Sequence, residues 1–242
     1  MDEEVRKKIR ALVEIYYDTQ DVRIRSYNRL RTVGEVEGVH PERLKKLEQE
    51  IRLYIENALE GIPIYEKFLK HIKGIGPILA GGLISNLDPH KAKHVSSFWR
   101  YCGLHVKDGK APKRRKGKKL DFNVKMRTLM WKVGDSFIKH RTPKYREIYD
   151  QAKKKENEKL GYPLENPENC PYYNECIKSI INKASRTGKT PKKPPCKLHI
   201  DLRARRKMVK RFLADLWVEW RKLEGLPVSE PYPIAILGHE SD

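Results

Sequence analysis

No apolar run in this chain approaches the roughly 18 residues that a membrane span requires. Its start, Met1-Asp2-Glu3-Glu4, is acidic where a signal peptide would be basic. Both absences predict a soluble, cytoplasmic protein, associated with the nucleoid if its partner is DNA. Glutamine is nearly missing, at three residues against abundant Lys, Arg and Glu, a balance that thermophilic proteins favour. Acid is also short: 32 Asp and Glu face 52 Lys and Arg, for a net charge of +20. The shortage is local. Residues 1–62 are close to balanced, at a net of −1, whereas residues 63–242 carry 40 basic residues against 19 acidic, a net of +21. A polyanionic partner is implied, and it belongs to the later part of the chain. Asp88, Asp121 and Asp135 are scattered, and no two carboxylates stand at catalytic spacing, so no catalytic residue is assigned.

What is present is organised around Ile72-Lys73-Gly74-Ile75-Gly76-Pro77-Ile78-Leu79-Ala80-Gly81. Two glycines bracket one apolar residue, which lets the chain turn sharply with positive φ while Ile75 plugs the turn into the core. Pro77 suits the first position of the following helix, where its missing amide costs nothing. Ala80 and Gly81 are expected to let the two helices of the hairpin approach closely. The free amides and the positive end of the second helix then make a site for a phosphate oxygen, with Lys70 and Lys73 adding charge. This is the pattern of a helix-hairpin-helix, which grips a nucleic-acid backbone without reading bases. A glycine-rich turn used only for packing is the competing reading.

The remaining periodicity is helical, and the fold class is all-α. Residues 2–32 form one long helix with Val5, Ile9, Leu12, Val13, Tyr16 and Tyr17 in a stripe. Pro41 opens a second, with Leu44, Leu47, Ile51, Tyr54, Ile55 and Leu59 inward. Together they predict an antiparallel arm over 1–62 for packing or homodimerisation. The second unit, 63–160, holds the hairpin, a short helix closed by Gly103 with Phe98, Tyr101 and Leu104 over the core, and a helix capped by Asp121 with Phe122, Met126, Leu129, Met130, Val133 and Phe137 buried. Within it, residues 105–119 show no apolar periodicity and hold eight basic residues against one acidic. They predict a phosphate-neutralising loop through Lys113, Arg114, Arg115, Lys116, Lys118 and Lys119.

The third unit, 161–242, carries Cys170, Cys176, Cys196 and His199 in a C-x5-C-x19-C-x2-H set, with a short helix predicted at about 175–184. Two close pairs of soft or borderline donors can hold Zn2+ tetrahedrally and brace the basic stretch between them. A Cys170–Cys176 disulfide, or buried thiols with an incidental histidine, stay open as alternatives. Cys102 stands apart as a small core residue. The closing helix, about 199–224, places Leu202, Val209, Phe212, Leu213, Leu216, Trp217, Trp220 and Leu223 inward. Arg203, Arg206, Lys207 and Lys210 lie on its other side, in reach of phosphates.

The hairpin through Asp88, followed by Phe98, Tyr101, Gly103-Leu104 and the basic loop, resembles the C-terminal domain of insertion-sequence transposases of the IS one-ten and IS one-sixteen type, over roughly residues 66–140. The resemblance implies DNA binding. It also brings an RNase H-like domain with four acidic residues and a nucleophilic serine, and here the chain departs from it. The first 62 residues read as helices, and residues 105–119 contain no serine or threonine. The expected function is therefore a transposase-related, non-catalytic protein holding duplex or branched DNA, with an active transposase or nuclease, or a structured-RNA binder, as alternatives.

Overall fold

The computed structural model describes residues 2–34, 36, 40–107, 111–113, 117, 119–161 and 196–228, with positions 168, 170, 173, 174, 185 and 188 between the last two segments. Within 196–228, side chains are described from 199 onward. Every regular element among the described residues is helical, as the periodicity predicts.

Helix α1 (Glu3–Val33) is started by Asp2, whose carboxylate accepts the Glu4 amide at 3.1 Å, and stopped by Gly34 at φ 88°. Helix α2 (Glu42–Leu59) packs along it. The Arg23–Glu48 ion pair and the Tyr27–Glu42 hydrogen bond at 2.7 Å fix the two as antiparallel. The inward stripe is narrower than the pattern suggests. Ile9, Val13, Ile51, Ile55 and Leu59 are buried, while Leu47 and Tyr54, predicted inward, are exposed. Leu47 and Tyr54 flank the face of α2 that Ile51 and Ile55 bury, so they stay on the surface.

A five-residue helix, α3 (Pro63–Lys67), and a single 3-10 turn at Leu69–His71 lead into α4 (Pro77–Asn86). Helix α4 is apolar on nearly every side, and it is buried accordingly from Ala80 through Ser85. Its glycines set that packing. An added Cβ at Gly81 would meet methyl carbons of Ile55 and Val13, both at 3.1 Å, and one at Gly82 would meet Leu129 at 3.0 Å. Gly81 therefore admits the N-terminal arm, where the sequence suggested that it served the hairpin's own two helices.

Helix α5 (Val95–Tyr101) ends as expected at Gly103, with φ 66° and no room for a Cβ beside Phe122. Phe98 and Leu104 are buried, whereas Tyr101, predicted to cover the core, is 40% exposed. Helix α6 (Val124–Lys139) is capped by Asn123, whose side chain accepts the Met126 amide at 3.1 Å. Asp121, the cap expected from sequence, instead meets His105 at 3.1 Å. Phe122 is only partly buried, and the rest of the predicted α6 stripe is buried as expected. Helix α7 (Tyr145–Leu160) lies against α8 (Cys196–Leu223) through Tyr145, which stacks on Phe137 and meets Phe212 edge-on. Trp217 and Trp220 are buried in α8, and the Trp217 indole donates to the Ala92 carbonyl at 2.8 Å. Leu202, expected inward, is 43% exposed. One hydrophobic cluster runs from Ile9 through α4 and α6 to Trp220. No helix among the described residues is long and apolar enough to cross a membrane.

Gly81→Val should separate α4 from α1 and α2 and lower the unfolding free energy by about 1–3 kcal/mol. Chemical denaturation of the variant against the parent checks this.

Candidate nucleic-acid interface

The turn at Lys73–Gly76 is held by the far end of α6. The Ser136 hydroxyl donates to the Gly74 carbonyl at 2.6 Å, and the buried Thr142 hydroxyl donates to the Lys73 carbonyl at 2.7 Å. A trans peptide points its C=O and N–H in opposite directions. Pinning the Lys73 carbonyl inward thus aims the Gly74 amide away from α6. Pinning the Gly74 carbonyl likewise turns the Ile75 amide toward Ile72, whose carbonyl accepts it at 2.9 Å. Gly74 has φ 92°, which favours glycine, and a Cβ there would crowd Ser136 Oγ at 3.1 Å. Ile75 is buried, as its place between two glycines suggests.

Gly76 is different. It is exposed, extended at φ −90°, and has nothing within 4 Å of an added Cβ. It serves as the N-cap of α4, with no side chain to accept an amide. Among the described residues, the amides of Gly76, Ile78 and Leu79 have no acceptor within the protein. The opposite end of α4 is closed: Arg6 donates to the Ile84 and Leu87 carbonyls, and Arg10 to that of Ser85. Guanidinium groups sit at the negative pole of the helix and solvent at the positive one.

The cations around the turn are unequal. Lys70 is engaged by Glu66 at 3.0 Å, whose hydrogen bond pushes the ammonium pKa up, while Lys73 is exposed with no carboxylate within 4 Å among the described residues. Sequence reading missed two neighbours, His140 and Arg141. The chain leaves α6 through a Schellman-type turn, with the Thr142 amide on the Phe137 carbonyl at 3.0 Å, and Arg141 occupies the left-handed position at φ 48°. Glycine usually stands there. An arginine instead presents an exposed cation next to Thr142, the residue that holds the turn. The signal in sequence was weak, because a basic residue at a helix end looks like a solvated surface group.

On α8, Arg203 and Lys207 both meet Glu156, at 2.9 and 3.2 Å, whereas Arg206 and Lys210 have no carboxylate within 4 Å among the described residues. Lys210 caps the Trp99 ring at 4.0 Å, so that face of Trp99 is covered. Of the basic loop, Lys113 and Lys119 are described and exposed. Arg114, Arg115, Lys116 and Lys118 lie outside the described residues, as do Cys176, the side chain of Cys196, the helix expected at 175–184 and the tail from 229. Cys170 is buried, and His199 lies on the first turn of α8. Among the described residues no group of three or more His, Cys, Asp or Glu is arranged to hold a metal ion. Cys102 is fully buried, and burial pushes its thiol up to about 12. Asp88, Asp121 and Asp135 are held apart, meeting Lys91, His105 and the Lys139–Arg205 pair respectively.

Residues 66–150 match the family model described as Transposase IS116/IS110/IS902 family, so this segment is transposase-related. The matched stretch holds the turn, α4, α5, the basic loop and α6. No curated protein and no solved structure matches the chain.

Thr142→Val keeps the shape of the side chain but leaves the Lys73 carbonyl without its donor. The expected cost is about 1–3 kcal/mol, together with faster amide exchange at Gly74 and Ile75. Denaturation and hydrogen-exchange mass spectrometry read the two effects separately.

Proposed function

We propose that this transposase-related protein binds DNA through the sugar-phosphate backbone, with the Lys73–Gly76 turn acting as a helix-hairpin-helix. The observation that carries the reading is the set of acceptor-free amides at the start of α4 among the described residues, at Gly76, Ile78 and Leu79, with Lys73 exposed in the same turn and Arg141 exposed next to Thr142, which holds that turn. Unpaired N–H groups at a positive helix end favour an anion, and such contacts position a duplex without reading its sequence. The basic loop at 105–119 adds charge to the same partner. The family match favours DNA over structured RNA.

Two further elements belong to this reading. The apolar residues exposed on α1 and α2, such as Ile15, Leu53 and Tyr54, support a second copy of the chain as the partner of the arm. The spacing of Cys170, Cys176, Cys196 and His199 supports a zinc ion bracing the basic stretch before α8. Metal analysis of the purified protein should find one zinc per chain, lost in Cys196→Ser.

The turn is tested by a substitution that separates stability from binding. Gly76→Asp puts a strong N-cap carboxylate onto the Ile78 and Leu79 amides, where a phosphate would otherwise bind. Stability should hold or rise by a few tenths of a kcal/mol, while duplex affinity falls at least about tenfold. Unchanged affinity in a fluorescence-anisotropy titration would remove the turn from the interface. With about four phosphates neutralised, parent affinity should drop roughly a hundredfold between about 50 and 200 mM salt.

A further inference from the structure

Helix α8 carries two populations of cations. Arg205 is matched by Asp201 at 2.8 Å and Asp135 at 3.2 Å, and Arg211 by Asp215 at 3.1 Å. Arg206 and Lys210 have no such match among the described residues, although both are partly buried. Each is held by neutral groups, with no carboxylate opposite it among the described residues. Arg206 reaches the His105 carbonyl at 3.5 Å. Lys210 rests on the Trp99 ring, and the Trp99 indole donates to the Lys210 carbonyl at 3.0 Å. Arg127, on α6, is held toward the same seam by the Pro112 carbonyl at 2.6 Å and lies over Phe122.

We propose that Arg206 and Lys210, at the seam between α8 and α5 with Arg127 beside them, seat one phosphate group of a nucleic-acid backbone. This rests on the DNA-binding reading above but concerns a place remote in sequence from the Lys73–Gly76 turn. Residues four apart on a helix stand one turn apart, a span that a single phosphate can bridge with two of its oxygens. Like charges at that spacing destabilise a helix, and partial burial strengthens the repulsion. The electrostatics agree. Burial, followed by the fields of Arg127 and Arg203, holds the Arg206 pKa below its usual range, and burial, followed by the field of Arg206, does the same to Lys210. A base whose folded pKa lies below its unfolded value destabilises the fold while it is charged. Such a pair is kept at a cost to the free protein, and an anion seated there removes the cost.

The sign of that cost makes the test decisive. Lys210→Met keeps the hydrophobic stem over Trp99 and deletes the charge. In chloride buffer the variant should melt about 2–4 °C above the parent, and it should lose most of the melting-temperature gain that inorganic phosphate gives the parent at equal ionic strength. Arg206→Gln should behave alike. Variants that melt below the parent in chloride, or that keep the full phosphate gain, would show the cations to be structural and overturn the seat. A second arm titrates a short DNA duplex. At least a fivefold weaker affinity in Lys210→Met assigns the seat to a backbone phosphate, whereas unchanged affinity with a lost phosphate gain assigns it to the free ion and overturns the proposal as stated. Failure of the parent to bind any duplex would instead sink the DNA-binding reading, and the phosphate arm would still decide whether the seat exists.

Discussion

The structure depends on holding helix α4 at both ends. Arg6 and Arg10 grip the carbonyls where it finishes, and Ser136 and Thr142 grip the carbonyls of the turn where it starts. Between those holds the helix is nearly featureless to a neighbour, with Gly81 and Gly82 giving flat contact to the arm on one side and to α6 on the other. A helix so apolar has no stripe of its own to choose an orientation. Its direction and rotation come from polar contacts at the ends, and they decide that its amides rather than its carbonyls meet solvent.

Charge is divided along the same logic. Buried or half-buried carboxylates are placed where the fold needs a cation held: Glu48 with Arg23, Glu156 with Arg203 and Lys207, and Asp215 with Lys144 and Arg211. Lys73 and Arg141 near the turn, and Arg206 and Lys210 at the α5–α8 seam, are left out of this matching among the described residues, whereas Lys70 is paired with Glu66. An excess of basic residues therefore does not spread evenly over the molecule, and its uneven distribution is what a composition cannot show.

Periodicity in sequence was enough for the long helices, because an apolar residue every three or four positions needs only one buried face to be correct. It overreached at the edge of a stripe: Leu47 and Tyr54 flank the face of α2 that Ile51 and Ile55 bury, and Leu202 is exposed on a turn of α8 that buries Ile200 and Ala204 instead. The bend at Gly74–Gly76 was legible because positive φ and a buried Ile75 leave few alternatives to glycine. The devices that aim it were not. Ser136 lies 62 residues from Gly74, and Thr142 lies 69 from Lys73. A lone hydroxyl in a charged segment carries no mark of its partner. Arg141 was hidden for a related reason, since the left-handed position it fills is one that sequence habit reserves for glycine. Asp121 and Asn123 compete two residues apart for one cap, and the histidine that draws Asp121 away lies 16 positions upstream.

The shared core bears on whether the transposase-related stretch can stand alone. Residues 66–150 contain α4 and α6 but not the helices that cover them, since Ile9, Val13 and Ile55 come from before the stretch and Val209, Phe212 and Trp217 from after it. Cut out alone, the stretch would expose Leu83, Val133 and Phe137 to water. It is therefore not a portable cassette.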